Sequence, residues 1–334
     1  MTGPVPAPPT ELVAVLRRQG LIGDEVPPMT PLAGGVSSDI WRVDLPSGPV
    51  CVKRALGTLK VAATWHAPVE RTGYEAAWME VASCVWPGLC PALLAYDAEG
   101  GSLVMTYLDA REHRLWKTEL RHGRADGAMA AELGRRFGTM HAATADRSDV
   151  AARFDNPELF EALRLEPYLD TTARAHADLA TALAGVRAAY LANGRVLLHG
   201  DVSPKNVLVG PQGPVLLDAE CATWGDPAFD LAFCATHLLL KCRWNPAATD
   251  GFLDCYDRLV ATYLEQVTWE QPREVEERAA LLVGALLLGR VDGKSPVEYL
   301  DPGNQAATRA CARSLLQRPV VSMAGVRGRW VAAL

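Results

Sequence analysis

The stretch Leu198-His199-Gly200-Asp201-Val202-Ser203-Pro204-Lys205-Asn206-Val207-Leu208-Val209 places the densest polar cluster of the chain between apolar residues. Beyond it, a second apolar run, Val215-Leu216-Leu217, ends in Asp218. The flanking apolar runs read as short strands. Asp201 and Asn206 then share one loop, and Asp218 stands at the end of the next strand. Three oxygen-bearing side chains converge on one point in this reading. Hard oxygen ligands of that kind suit Mg²⁺, which takes a few protein ligands together with substrate phosphates. A lone Asp in a turn often does no more than bond its own backbone; the joint spacing is what favours a shared site.

Outward from this loop the texture changes twice. Upstream, Met129, Leu133, Phe137 and Met140 share one helical face, as do Leu179, Leu183, Val186 and Tyr190. Earlier still, Ile40, Trp41 and Val43 and then Val50, Cys51 and Val52 read as a hairpin about Leu45-Pro46-Ser47-Gly48-Pro49. Residues 70–84 read as a helix, and Leu103 to Leu108 as a third strand. Thr10 is placed to cap a short first helix that Gly20 closes. The pattern predicts an α+β chain of two lobes, a small β-rich one over residues 1–108 and a larger helical one over 109–334.

Composition narrows the function classes. The 334 residues carry 33 Lys and Arg against 39 Asp and Glu, a net charge of −6, and 49% are hydrophobic. That excludes disorder over most of the length and argues against a nucleic-acid partner, which calls for a basic excess. The longest apolar run, Ala279 to Gly289, is closed by Arg278 and Arg290. It is far short of the 18 residues or more of a membrane span and reads as a buried helix. The first residues lack a basic segment followed by an apolar one, so secretion is not expected. Eight scattered cysteines with no C-x-x-C pair fit free thiols in a reducing cytoplasm.

His199-Gly200-Asp201 followed by Asn206 and then Asp218 resembles the catalytic loop and metal-binding aspartate of the aminoglycoside phosphotransferase family, within the wider group of protein-kinase-like enzymes. The resemblance implies the two-lobed kinase-like fold and a kinase activity, with ATP or GTP as donor and Mg²⁺ as the metal. It implies that Asp201 accepts or orients the acceptor hydroxyl proton and that Asn206 and Asp218 hold the metal. It places Lys53 on the nucleotide phosphates, paired with Glu75 or, as the alternative, Glu80. Gly34, Gly35, Ser37 and Ser38 become the nucleotide-covering loop, and the Thr106 carbonyl and Leu108 N–H bond the purine edge. Asp230, in Gly225-Asp226-Pro227-Ala228-Phe229-Asp230, resembles the buried aspartate that holds the catalytic loop by its backbone N–H groups. His199 and His141 are expected to pack rather than react.

Two departures bear on the substrate. Protein kinases carry an Arg just before the catalytic Asp and a Lys two residues after it, where this chain has Gly200 and Ser203. Loss of the Arg argues against a phosphorylation switch; Ser203 is grouped with the nucleotide-contacting residues, and Lys205 is a candidate for the lost charge. Only six residues separate Asp218 from Gly225, which leaves no room for a peptide-docking segment. The expected acceptor is a small hydroxyl-bearing molecule facing Asp201, with Phe154 to Phe160 and Arg290 to Pro296 as candidate walls. An antibiotic of aminoglycoside or nucleoside and sugar type is the leading reading. A housekeeping metabolite resembling choline or methylthioribose is the alternative, and a pseudokinase scaffold the third. Residues 57–70 have no assignment.

Overall fold

A computed structural model describes residues 8–32, 38–56 and 70–334. Gly34, Gly35 and Ser37, and residues 57–69 of the unassigned stretch, lie outside the described residues. The chain divides into two compact units, Met1–Asp109 and Ala110–Leu334.

The first unit joins two helices to an antiparallel sheet. Helix α1 (Thr10–Arg18) precedes strands β1 (Met29–Pro31), β2 (Ser38–Leu45) and β3 (Gly48–Ala55). Then come α2 (Arg71–Val85), β4 (Leu93–Asp97) and β5 (Ser102–Thr106). The sheet order is β1-β2-β3-β5-β4. Period-two burial in β2 turns Trp41, Val43 and Leu45 to one face, where they meet Val50 and Val52 of β3 and Leu12 and Leu16 of α1. Each such buried side chain contributes roughly 1.5–3 kcal/mol. The turn is tighter than the sequence implied: Leu45 pairs with Gly48, whose φ of 119° only glycine takes readily. Two expectations need correcting. Thr10 is the first helical residue and makes no side-chain cap, because Pro9 occupies the cap position. The third strand ends at Thr106, leaving Leu108 in the irregular stretch that follows.

The second unit is mainly helical. It opens with β6 (Arg114–Leu115), α3 (Trp116–Arg121), α4 (Gly127–Thr144), α5 (Ser148–Arg153) and α6 (Pro157–Phe160). A π-helical segment, Glu161–Asp170, leads into α7 (Thr171–Ala175) and α8 (Ala180–Leu191). Strands β7 (Val196–Leu198), β8 (Val207–Gly210), β9 (Gly213–Leu216) and β10 (Thr223–Gly225) follow. Last are α9 (Ala228–Trp244), α10 (Thr249–Leu264), α11 (Pro272–Asp292), α12 (Pro302–Gln317) and α13 (Met323–Val331). Helix α9 is buried from Ala228 to Arg243, so its apolar residues face every direction. It packs on α10 and α11, and α10 packs on α4. Strands β7 and β10 pair, as do β6, β8 and β9. The two small sheets hold the ends of the 198–209 loop. Asn156 heads α6 but does not cap it: its Nδ2 donates to the Ala222 carbonyl (3.0 Å), and its Oδ1 is buried without a bond.

Candidate active site

The loop between β7 and β8 is shaped by its backbone. Gly200 has φ 76°, and a Cβ there would lie 2.5 Å from the Cys221 carbonyl oxygen. Glycine is thus required at the position where a protein kinase carries Arg. Asp230, buried at the start of α9, accepts the N–H groups of His199 (2.8 Å) and Gly200 (2.9 Å). His141 of α4 donates from Nε2 to Asp230 (3.3 Å), and its Nδ1 lies 2.9 Å from the Tyr263 hydroxyl. His199 is buried with both ring nitrogens engaged. Its Nδ1 accepts the Asp201 N–H (3.2 Å) and its Nε2 donates to the Leu217 carbonyl (3.1 Å). Burial lowers its pKa against the pull of Asp230 and Asp201, so it stays neutral, and its one lone pair, on Nδ1, is taken up by the Asp201 N–H.

Asp201 is held from two sides. Arg164, from the π-helical segment, contacts Asp201 Oδ2 at 2.8 Å and donates from Nε to the Gly200 carbonyl (2.6 Å). Lys205 reaches the same Oδ2 at 3.0 Å. The other oxygen, Oδ1, accepts a longer bond from the fully buried Ser203 hydroxyl (3.3 Å). Burial works to raise the Asp201 pKa, but Lys205 and Arg164 outweigh it and hold the value below that of an ordinary Asp. Burial likewise opposes the Lys205 charge, and Asp201 with Asp218 overcomes it, so Lys205 stays protonated. The carboxylate is therefore ionised, with Oδ2 occupied by cations and Oδ1 the oxygen left for a further donor.

Asn206 Nδ2 donates to the Asp201 carbonyl (3.1 Å), which fixes the amide and leaves its Oδ1 as the hard oxygen of the side chain. Asp218 has φ 68°, a conformation a non-glycine residue holds only under constraint. Among the described residues no three His, Cys, Asp or Glu side chains gather as a self-sufficient metal site. Two protein oxygens completed by phosphates are what Mg²⁺ uses in phosphoryl-transfer sites, and Asn206 and Asp218 carry oxygens of that chemical kind.

In the first unit Lys53 lies on β3, between β2 and β5, opposite Ile40 and Leu103. It is a central-strand lysine, 5% exposed. Its Nζ contacts both oxygens of Glu75 on α2, at 2.8 and 2.6 Å. Ser38 opens β2 with its hydroxyl buried and unbonded. Thr106 ends β5, its hydroxyl accepting the Ala92 N–H (3.0 Å). Of the two candidate walls, Phe154 to Pro157 line an open cavity of about 280 Å³ with Thr223 and Trp224. In the other, Arg290 bonds the Tyr168 hydroxyl and the Ser295 carbonyl (3.0 and 2.6 Å).

The sequence profile of the phosphotransferase enzyme family matches residues 28–277. The chain belongs to this family. A methylthioribose kinase of Pectobacterium atrosepticum is 28% identical over 218 residues, which are 58% of this chain and 54% of that relative. The match thus spans about half the length of that curated relative. A solved choline/ethanolamine kinase family protein from Mesorhizobium loti shares the fold with a TM-score of 0.53 and 18% identity, over 97% of this chain and 96% of its own. An aminoglycoside phosphotransferase from Alicyclobacillus acidocaldarius does so with a TM-score of 0.51 and 16% identity, over 99% and 98%. The chain is thus protein-kinase-like in fold, as the α+β expectation had it. Among its described residues no helix is long and apolar enough to cross a membrane.

Arg164 is the site residue that the sequence reading missed. Pro167 lies inside its helix and supplies no N–H, and the segment is wound as a π-helix. A Pro three residues beyond an Arg is a faint signal, and nothing in the local pattern ties it to Asp201.

Proposed function

We propose that this phosphotransferase is a small-molecule kinase that moves the γ-phosphoryl group of ATP or GTP to an alcohol. The observation that carries the reading is the Asp201 carboxylate, ionised, gripped at Oδ2 by Arg164 and Lys205, and left with Oδ1 for an acceptor hydroxyl. The acceptor oxygen attacks the γ-phosphorus as the bond to the β–γ bridging oxygen breaks. The nucleoside diphosphate leaves, and the hydroxyl proton passes to Asp201. Two cations make Asp201 a weak base, so it chiefly orients the hydroxyl and takes the proton late, as a loose transition state permits. Asn206 and Asp218 would hold Mg²⁺, which when bound neutralises phosphate charge. Lys53, kept in place by Glu75, would contact the α- and β-phosphates, and the Thr106 carbonyl and Leu108 N–H the purine. Gly34, Gly35, Ser37 and Ser38 belong to the nucleotide-covering loop in this reading. Ser203, grouped with the nucleotide contacts from sequence, has its hydroxyl on Asp201, and we assign it to orienting that carboxylate.

The acceptor is an antibiotic in one version, conferring resistance, and a metabolite in the other. Similarity over 218 residues to a protein named methylthioribose kinase supports the metabolite version. Two assays separate them. One is nucleotide consumption over a panel of aminoglycosides, macrolides, nucleoside antibiotics, choline and methylthioribose, with peptides as controls. The other is the minimum inhibitory concentration of each antibiotic in a susceptible host expressing the protein. Peptide phosphorylation with silence on every small molecule refutes the proposal. Tight nucleotide binding with no turnover at all would shift the reading to a scaffold.

A further inference from the structure

Helix α9 carries a stripe of polar and aromatic residues one turn apart: Phe233, His237 and Lys241. Its near end is at the catalytic loop. The Arg164 guanidinium that grips Asp201 lies 5.6 Å from the Phe233 ring centre, and Phe233 meets His237 edge-on at 5.1 Å. Its far end is Lys241, 1% exposed amid Leu238, Leu239 and Leu240. The ammonium lies 3.9 Å from the ring centre of Tyr299 and 4.3 Å from that of Trp244, two rings stacked on each other. Among the described residues no carboxylate lies within ion-pair distance of Lys241 or Arg290. Glu298, the acidic group acting on this cluster, is mostly exposed and is engaged by Lys117 (2.6 Å).

Further polar atoms here also lack partners. His237 is 6% exposed and its Nε2 has no hydrogen bond; the Tyr299 hydroxyl and Arg290 Nε are buried and unbonded. A buried polar atom without a partner costs about 1–3 kcal/mol, and native structures hold few of them. A lysine with no role here would extend its head to water along its own stem. Three unsatisfied polar atoms and two basic side chains with no carboxylate partner, gathered in one place, describe a site for oxygens of negative charge.

We propose that the acceptor of this phosphotransferase bears an oxyanion, a carboxylate or phosphate group, which Lys241, Arg290 and His237 bind while its hydroxyl reaches Asp201. The identity of the bound molecule as the acceptor rests on the kinase reading above; the oxyanion site does not. Eight residues of helix from Phe233 to Lys241 rise about 12 Å, which sets the scale for a molecule of one or two sugar rings. A polycationic aminoglycoside is the wrong charge for this wall. Burial, with Lys117 and Arg290 nearby, pushes Lys241 down to about 6, and a bound anion restores its charge. Burial and the same cations keep His237 neutral, with one N–H to give.

The test is calorimetric binding of matched sugars to the full chain: glucose, glucosamine, glucuronate and glucose 1-phosphate, then lactose and lactobionate. At least one acid or phosphate form is expected to bind tenfold or more tighter than its neutral parent, with the amine weakest. Lys241→Met should abolish that preference and Lys241→Arg retain it. No acid form tighter than its parent, or the amine preferred, overturns the proposal on the wild-type protein alone. Binding of the non-hydrolysable nucleotide AMP-PNP is measured alongside. An acid preference without nucleotide binding keeps the oxyanion site and removes the kinase reading; turnover preferring neutral or cationic acceptors does the reverse.

Discussion

Lys241→Met should make the unliganded protein more stable, and the gain should depend on pH. The ordinary lysine value is 10.5, and burial with Lys117 and Arg290 brings Lys241 down to about 6. Between those two values the unfolded chain carries a proton on this side chain that the folded protein does not. Wild-type stability therefore rises with pH across that window, at up to about 1.4 kcal/mol per unit. At pH 7 the remaining deficit is on the order of 5 kcal/mol. Met preserves the apolar stem but packs imperfectly against Trp244 and Tyr299 at a cost of about 1–2 kcal/mol, so a net gain of roughly 3 kcal/mol is expected. The groups facing Lys241 are Lys117 of α3, His237 of its own helix, Arg290 of α11, and Glu298 and Tyr299 beyond it. Despite burial, the bond from Lys117 keeps Glu298 low; burial keeps His237 neutral and Tyr299 protonated. These three do not change charge between about pH 6.5 and 8.5. Urea unfolding of both proteins across that range is the assay. The advantage of the variant should shrink by about 1.4 kcal/mol for each unit the pH rises. A variant less stable throughout, or an advantage flat in pH, refutes the reasoning.

The remaining predictions concern the catalytic loop. Asp201→Asn should lower kcat by about 10²–10⁴-fold while AMP-PNP binding stays near wild type, and retention of more than a tenth of turnover would remove Asp201 from its role. Asp218→Ala should weaken Mg²⁺-dependent nucleotide affinity together with turnover, read by calorimetry at several metal concentrations. Arg164→Gln removes a cation that lowers the Asp201 pKa, so the acidic limb of the kcat–pH profile should move to higher pH. Breaking that buried pair should also cost about 3–5 kcal/mol of stability; an unmoved limb would show that Arg164 is structural only. Gly200→Ala places a methyl 2.5 Å from the Cys221 carbonyl at φ 76°. It should lower both the melting temperature and kcat, with nucleotide affinity in the first unit's contacts little changed.

The loop from His199 to Asn206 was legible because its chemistry is local: adjacent residues carry the acid, the amide and the glycine that lets the backbone turn. The hairpin of β2 and β3 was legible for the same reason, through period-two burial of Trp41, Val43, Val50 and Val52. Local pattern could not choose between Glu75 and Glu80, since both are acids on one helix. It is Glu75 that lies against Lys53. Arg164 and Lys241 were not legible at all. One lies 37 positions from the carboxylate it grips, and the other stands in an apolar run where periodicity counts a single charge as noise. Caps misled for a related reason. Thr10 has capping chemistry, but Pro9 takes the cap position and Thr10 becomes the first helical residue.

Asp230 accepts two backbone N–H groups of the catalytic loop and a third bond from His141 of α4, inside the most buried helix of the larger unit. The loop therefore has no independent melting step: freeing the His199 and Gly200 amides requires opening α9 itself, and their hydrogen exchange belongs with the slowest of the core. A lineage with this arrangement inherits its transfer chemistry as one indivisible block. On the proposed function, change of acceptor must then arise at the margin, in the stretch from Arg290 to Tyr299, where residues can be exchanged without disturbing the ties that hold Asp201.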